Sequence, residues 1–577
     1  MELRSSLVEL LELRASTQPE DRSHLFLSDR GAVEASLTFA ELHRRAAAVA
    51  VRLAARSRPG DRALLIFPPG LDFVVGFFGC LMAGVIAVPL MVPRRQGARD
   101  ASVSIAADCA PRFAVTNAAF ATGSRQDVVT RLAEQGIEWL VVDDDATPPA
   151  RTAIAALPKP TTGDIAFLQY TSGSTSDPKG VVVSHGNALH MLETIRTRFD
   201  CSKSSTCVGW LPVYHDMGLI GNVLHSICAG ALCILMAPTA FMTRPLTWIK
   251  AIHDHRAEIT WMPNFAFDLC ARHIRPEQMQ GFDLSCWRVA VSGAETIRED
   301  TLQRFLAAFT PYGFSPRSLV TGFGMAEATL VVSTVECGKG YSTCTFSREA
   351  ARNFRIVPPA NATDSQIGVS CGKAFPGERI AIVEPEQRRR LPALQVGELW
   401  ISGPNVCQGY WGKDAVTAAT FKARIAAEDA TDWLRTGDLG FLDEAGDLFI
   451  TGRIKELIII RGMNHYPQDI EQTVQAAHPA LRPDGGAAFS VPDERGEETL
   501  VVVQEVERTA RNRIDTDDMT GTIREAVANE HDLYARHVTL IRPNTLPKTT
   551  SGKIQRNLVR RLWLEGRLDP LTAESVG

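Results

Sequence analysis

The sequence predicts an α/β fold class: a large N-terminal domain of two layered α/β subdomains plus a barrel-like β subdomain, followed by a small α+β C-terminal domain. Short apolar runs of β type alternate with helical patterns, as in Arg62-Ala-Leu-Leu-Ile-Phe67, Gly136-Ile-Glu-Trp-Leu-Val-Val142 and Trp287-Arg-Val-Ala-Val291. That alternation is the mark of layered units around a mainly parallel sheet. From about Ser365 to Phe449 the strands shorten and glycine punctuates them, as in Gly397-Glu-Leu-Trp-Ile-Ser-Gly403, hence the barrel-like expectation. After Gly452-Arg453 the strand-like runs Leu457-Ile-Ile-Ile460 and Thr499-Leu-Val-Val-Val503 open a smaller unit. The boundary is placed there, giving an N-terminal domain of residues 1–453 and a C-terminal domain of residues 454–577.

Composition sets the outer limits. A chain of 577 residues is too long for one core, and 45% hydrophobic with 22% charged residues describes an ordinary globular protein. A net charge of −5 argues against a nucleic-acid partner. Met1-Glu-Leu-Arg-Ser runs into Glu9-Leu-Leu-Glu-Leu-Arg14 without the apolar stretch of a signal peptide, so a cytoplasmic location is expected. The 12 cysteines contain no Cys-x-x-Cys pair and several sit among apolar neighbours, so they read as small core residues, not as a zinc site or a disulfide frame.

Phe73 to Val92 is free of charge and long enough to span a bilayer. Gly76, Gly79, Gly84 and Pro89 interrupt it, so it is expected to divide into a short buried helix and a strand, with no membrane span.

Residues 170–180 read Tyr-Thr-Ser-Gly-Ser-Thr-Ser-Asp-Pro-Lys-Gly. Gly173 and Gly180 permit positive φ, so successive amide N–H groups can converge on an anion, while Thr171, Ser172, Ser174 and Thr175 add hydroxyl donors and Lys179 adds charge. The run lacks the Gly-Lys-[Ser/Thr] closure of a Walker A loop. Ile165-Ala-Phe-Leu168 and Val181-Val-Val183 flank it as strands, which positions the loop and argues against a linker. A nucleotide phosphate is the expected ligand.

Further motifs follow in order: Trp210-Leu-Pro-Val-Tyr-His-Asp-Met-Gly-Leu-Ile-Gly221, Ser292-Gly-Ala-Glu295, Gly322-Phe-Gly-Met-Ala-Glu327, Arg435-Thr-Gly-Asp-Leu439, Gly452-Arg-Ile-Lys-Glu456 and Leu546-Pro-Lys-Thr-Thr-Ser-Gly-Lys553. Over nearly its whole length the chain resembles the adenylate-forming superfamily of acyl-CoA synthetases, luciferases and peptide-synthetase adenylation domains. The wording of His215-Asp-Met-Gly-Leu, Pro263-Asn-Phe-Ala and Arg461-Gly-Met-Asn-His-Tyr-Pro-Gln-Asp469 is most similar to the fatty acyl-AMP ligases.

The resemblance implies ATP-dependent activation of a fatty acid to an acyl-adenylate, with release of pyrophosphate. The acyl group would then pass to the phosphopantetheine of an acyl carrier protein acting in trans, or of a polyketide or nonribosomal peptide synthase. It implies a mobile C-terminal domain hinged at Lys455, catalysis by Lys553 at the meeting point of carboxylate and α-phosphate, and a gate at His215. Glu327 is implied as the Mg²⁺ ligand, and a hard cation suits a carboxylate there. ATP would be cradled by Thr171, Ser172, Gly173, Ser174, Thr175 and Lys179, with Ser292, Gly293, Ala294 and Glu295 beside the adenine. Phe323, Gly324, Met325 and Ala326 lie on its other side, Phe323 replacing the commoner tyrosine and losing its hydroxyl. Asp438 and Arg453 would hold the ribose. Ile220, Met262 and Phe265 are the implied acyl tunnel.

The forty residues from Ala328 to Ile367 match the insertion by which fatty acyl-AMP ligases restrain the small domain. Between Arg536 and Arg567 the basic residues Arg536, Arg542, Lys548, Lys553, Arg556, Arg560, Arg561 and Arg567 face only Glu565 in the sequence counted with them, which suggests a basic surface for an acidic carrier. Two alternatives remain at this point: an acyl-CoA synthetase using free coenzyme A, and a catalytically silent lipid- or nucleotide-binding protein.

Overall fold

A computed structural model describes residues 4–92, 101–123, 126–142, 149–171, 178–510, 515–549 and 553–571. Ser172, Gly173, Ser174 and Thr175 of the expected phosphate loop lie outside the described residues, as does the side chain of Thr171.

Two mainly parallel sheets carry the N-terminal part. The first runs Glu138–Val142, Phe113–Asn117, Arg62–Ile66, Ile86–Leu90, Ile165–Thr171 and Lys179–Ser184, with only the last pair antiparallel. The second has nine strands, and its six central ones are parallel: Leu319–Gly324, Val289–Gly293, Ile259–Pro263, Thr206–Gly209, Leu232–Met236 and Arg22–Leu27. Antiparallel strands close both edges of this second sheet. Interior strands buried on both faces read as continuous apolar runs, which is why the sequence signals them clearly.

The uncharged segment divides as expected. Helix Asp72–Met82 and strand Ile86–Leu90 are separated by a turn at Gly84 with φ +69°. Gly79 is a packing requirement: a Cβ placed on it would meet Val49 Cγ1 of helix Phe39–Ala54 at 2.5 Å. Among the described residues no helix is long and apolar enough to cross a membrane. The 12 cysteines are all free, and most are buried.

The segment expected to be barrel-like is a four-stranded antiparallel sheet in the order Arg379–Val383, Gly397–Ser402, Leu434–Leu442, Leu448–Arg453. Its two outer strands do not pair with each other among the described residues, so the sheet is open. Glycine-punctuated short strands are shared by barrels and open meanders, and closure depends on pairings remote in sequence.

Beyond Arg453, a three-stranded sheet of Leu481–Pro492, Glu498–Val506 and Ala535–Ile541 is packed by helices Pro467–Ala477, Thr516–His531 and Arg556–Leu564. Two of its apolar clusters contain only residues from Ile458 onward, whereas Tyr466 packs with Phe346, Leu439 and Phe449 of the large unit. The forty-residue stretch supplies strand Val331–Thr334 to the large sheet and a hairpin of Thr343–Ser347 with Ser365–Val369. That hairpin lies against the C-terminal unit: Asn464 Nδ2 donates to the Arg352 carbonyl at 2.9 Å, Gln366 Nε2 donates to Asp469 Oδ2 at 3.1 Å, and Arg348 pairs with Glu530.

Four of the eight basic residues of the C-terminal stretch are paired with acids, most of which lie outside that stretch. Arg536 pairs with Asp493, Arg542 with Asp569, Arg556 with Glu456 and Glu471, and Arg567 with Glu565.

Gly79→Val should lower stability by about 1–3 kcal/mol through overpacking against helix Phe39–Ala54. The denaturant midpoint measures this; an unchanged midpoint would contradict the helix–helix contact.

Candidate active site

The sheet ends, one helix and the C-terminal unit converge on a cleft of opposed charges. Gly218 allows the chain after Pro212 to fold back, since a Cβ there would stand 2.1 Å from the Pro212 carbonyl oxygen. This reversal sets His215 and Asp216 at the start of a π-helical stretch, Met217–Leu224. His215 Nδ1 lies 2.7 Å from Asp216 Oδ1, and the Met217 amide donates to the same carboxylate oxygen at 2.6 Å. Burial would raise the Asp216 pKa, but the charge and hydrogen bond of His215, with Lys553 and the Met217 amide, hold it below its ordinary value.

Val289–Gly293 and Leu319–Gly324 are neighbours in the large sheet and end side by side at Ser292-Gly293 and Gly322-Phe323. Met262 pairs in register with Ser292, so the expected tunnel strand adjoins the expected adenine strand. Ile220, Trp261 and Met262 are fully buried and Phe265 partly so. Gly221 admits the Trp261 ring, which would lie 2.9 Å from a Cβ there.

Past Ser292 the backbone turns through Ala294 at φ +68°, and the Glu295 side chain folds back. Its Oε1 accepts the Phe265 amide at 2.6 Å, capping helix Asn264–His273. Burial, reinforced by the charge of Asp484, pushes Glu295 up to about 7 despite that hydrogen bond and despite Lys553 and Arg298.

Phe323, Gly324, Met325 and Ala326 lead into a single 3₁₀ turn, Ala326–Ala328, holding Glu327. The Tyr410 hydroxyl donates to Glu327 Oε1 at 2.8 Å, and Lys179 Nζ lies 5.0 Å from the centre of the same ring. Burial raises the Glu327 pKa, and Tyr410 and Arg453 oppose the shift.

Asp438 and Arg453 are register partners on adjacent antiparallel strands. Arg453 Nε donates to Asp438 Oδ1 at 2.7 Å, while Asp438 Oδ2 is buried with no partner among the described residues. A buried carboxylate oxygen left free costs energy unless something docks on it. The next turn, Ile454–Glu456, leaves Lys455 exposed.

Lys553 arrives from the C-terminal unit. Its amide donates to Thr549 Oγ1 at 3.0 Å and its carbonyl accepts the Thr549 amide at 2.7 Å. Burial lowers the Lys553 pKa; the Arg453 charge adds to the effect, and Asp216, Glu295 and Asp438 oppose it. Lys553, His215, Asp216, Glu295, Glu327, Asp438 and Arg453 therefore share one electrostatic field.

Motif reading missed Tyr410, which joins Lys179 to Glu327, and the side-chain role of Glu295. Gln408-Gly-Tyr-Trp411 carries no spacing that announces a contact with either group. Only the strand pairing that brings Trp411 N to the Gly180 carbonyl at 2.8 Å puts Tyr410 there.

Comparison with known proteins decides the family. Residues 11–411 match the AMP-binding enzyme model, and residues 455–572 match the AMP domain of Disco-interacting protein 2-like proteins. The chain belongs to the AMP-binding enzymes, in the fatty acyl-AMP ligase branch. It is 40% identical to the medium-chain-fatty-acid–[acyl-carrier-protein] ligase JamA of Moorena producens, over 98% of this chain and 96% of that one. It is 36% identical to the long-chain-fatty-acid–AMP ligase FadD32 of Mycolicibacterium smegmatis, over 98% and 95%. The crystal structure of a fatty acyl-adenylate ligase from Legionella pneumophila in complex with acyl adenylate and pyrophosphate superposes with a TM-score of 0.74 at 37% identity, covering 98% of this chain and 97% of that one.

The Glu295 environment gives a pH prediction. A carboxyl whose folded pKa is raised from 4.5 to about 7 binds its proton more tightly in the native state. Its stabilising contribution is full below about pH 4.5 and is lost as pH rises to about 7. Glu295→Gln keeps a carbonyl for the Phe265 amide and should remove this dependence. Denaturant midpoints of wild type and variant should diverge in the variant's favour between about pH 5 and 7; parallel profiles would contradict the burial of an ionisable carboxyl there.

Proposed function

We propose that this enzyme activates a fatty acid with ATP to the acyl-adenylate, releasing pyrophosphate, and hands the acyl group to the phosphopantetheine thiol of an acyl carrier protein or of a carrier-bearing synthase. The observation that carries the reading is the arrival of Lys553, from the C-terminal unit, in the field of Asp216, Glu295, Asp438 and Arg453. A carboxylate is a poor partner for a triphosphate because like charges repel, so adenylation needs a cation placed where both anions meet. Burial and the Arg453 charge disfavour the charged ammonium. Two incoming anions reverse that balance, and Lys553 becomes a firm cation when the reacting atoms come together.

The other residues divide the work of holding ATP. Asp438, with one oxygen fixed by Arg453, offers its free Oδ2 to a ribose hydroxyl. Phe323 stacks on adenine, the Ser292–Glu295 turn lines its edge, and Lys179 with the Thr171–Thr175 loop takes the phosphates. Glu327 suits a Mg²⁺ ion: it is a partly buried carboxylate with Oε1 held by Tyr410. A Mg²⁺ ion usually takes one or two carboxylates and completes its shell with waters and phosphate oxygens. When bound, Mg²⁺ would neutralise charge on the phosphates. The His215–Asp216 pair sits where the carboxylate would enter, with Ile220, Met262 and Phe265 as the acyl wall. Residues 454–577 would turn about Lys455 as a mobile domain between adenylation and transfer, and the second family match begins at residue 455. A cytoplasmic location fits an enzyme drawing on ATP and a carrier protein.

Transfer to a carrier instead of to coenzyme A is supported by the name of one relative matched over nearly its full length, JamA, a ligase to acyl-carrier protein. It is supported too by the hairpin of the forty-residue stretch lying against the C-terminal unit.

Lys553→Ala should leave the fold and ATP binding nearly intact and lower adenylate formation by two to three orders of magnitude, about 3–4 kcal/mol if it resembles loss of an oxyanion donor. Pyrophosphate release with a fatty acid measures this, and near-normal release would remove Lys553 from the mechanism. In the same assay extended to transfer, wild type should acylate a phosphopantetheinylated carrier readily and coenzyme A poorly; rapid acyl-CoA production would make it an acyl-CoA synthetase.

A further inference from the structure

Described residues on either side of Lys553 are anchored inside the C-terminal unit. On the near side, the Leu546 amide donates to Glu505 Oε1 at 2.8 Å. On the far side, Arg556 opens helix Arg556–Leu564 three residues after the lysine. Its guanidinium forks between two carboxylates. Nε and Nη2 donate to Glu471 Oε1 and Oε2 at 2.6 and 2.7 Å, and Nη1 donates to Glu456 Oε2 at 2.5 Å. Glu471, almost fully buried, also accepts the Ala488 amide of the small sheet at 3.0 Å, which fixes it independently of Arg556. Glu456 belongs to the Ile454–Glu456 turn that directly follows Arg453.

One arginine thus ties three places together: the Lys553 segment, the small sheet through Glu471, and the first turn after the domain junction. We infer that Arg556 is a positioning residue whose bond to Glu456 couples the junction turn to residues 553–556 and so to Lys553. Rotation at Lys455 is then transmitted to the ammonium without slack. The inference rests on the assignment of Lys553 and Lys455 under the proposed function. A flexible link would let the long lysine side chain miss by an ångström or more, and displacement on that scale costs on the order of a hundredfold in rate. Arginine is suited to the task because its planar fork serves two carboxylates at once, whereas an ammonium serves as a single point charge. The transfer step needs no lysine at the phosphate and should not depend on this bond.

The test uses the full chain with two assays: pyrophosphate release at saturating ATP and fatty acid, and transfer of chemically supplied acyl-adenylate to a phosphopantetheinylated carrier protein. Glu456→Ala cuts the junction bond and leaves Arg556 paired with Glu471, so no buried charge is stranded. It should lower adenylate formation at least about tenfold through kcat, with the KM for ATP and the transfer rate within about twofold of wild type. Arg556→Lys, a second variant that keeps the charge, should show the same split. A purely structural role would lower the melting temperature and reduce both half-reactions in parallel, and that result overturns the inference, as does adenylation within twofold of wild type in both variants. Lys553→Ala is run beside them. Full adenylation by that variant would bring down the assignment of Lys553 and this inference with it, whereas its loss together with normal Glu456→Ala and Arg556→Lys rates would bring down this inference alone.

Discussion

The cleft is organised around one ion pair, Asp438 with Arg453. The two residues face each other across antiparallel strands, and the 2.7 Å bond holds one carboxylate oxygen while leaving the other buried and free. An acceptor that is dry and already oriented costs little to engage, so a hydroxyl ligand gains most of the hydrogen-bond energy on docking. The same pair lies at the end of the last strand of the large unit, one residue before the junction turn. Arg453 therefore serves two sides: it steadies Asp438, and its charge bears on Lys553 and Glu327. If the strand register slipped by one residue, both functions would be lost together.

Carboxylates outnumber cations around this centre, and burial sorts them. Asp216 is kept ionised by His215, whereas Glu295 and Glu327 are pushed toward the neutral form by desolvation. This division limits the negative charge that an incoming fatty acid and triphosphate must face. A cleft with every carboxylate fully ionised would repel both substrates, and one without them would leave Lys553 without counter-charge. Glu295 has a further consequence. It caps the helix carrying Phe265 while sensing Lys553, so those two residues share a neighbour.

Much of this was legible in the sequence, for identifiable reasons. Strands buried on both faces write themselves as apolar runs, and the helix break after Met82 follows from Gly84 and Pro89. Motifs of a few contiguous residues located Lys553, Glu327, Asp438 and His215 because chemistry and backbone turn coincide there. Tyr410 escaped because its importance arises from two strands pairing far apart in sequence. The open sheet replaced an expected barrel for a related reason: glycine-rich short strands specify turns, not which edges meet. The basic C-terminal stretch misled most clearly. Counted along the chain it faces one acid, but in space Asp493, Asp569, Glu456 and Glu471 come to meet it.

That last difference bears on how the C-terminal unit can work as a moving part. Surface arginines paired with exposed acids contribute little to stability, and their side chains can re-pair during a rotation at small cost. Arg348 with Glu530 and Arg298 with Asp484 join the large unit to the small one, each through a carboxylate that stays exposed. Arg556 is different. Its own side chain is about as buried as those of Arg348 and Arg298, but its carboxylate partners are far more buried than theirs, and all three lie on the C-terminal side of Arg453. Its bidentate bond to the buried Glu471 should stay intact while the bonds to exposed acids exchange. The placement of strong bonds within the unit and weak bonds between units is what a rigid body needs in order to turn and still return its lysine to the same point.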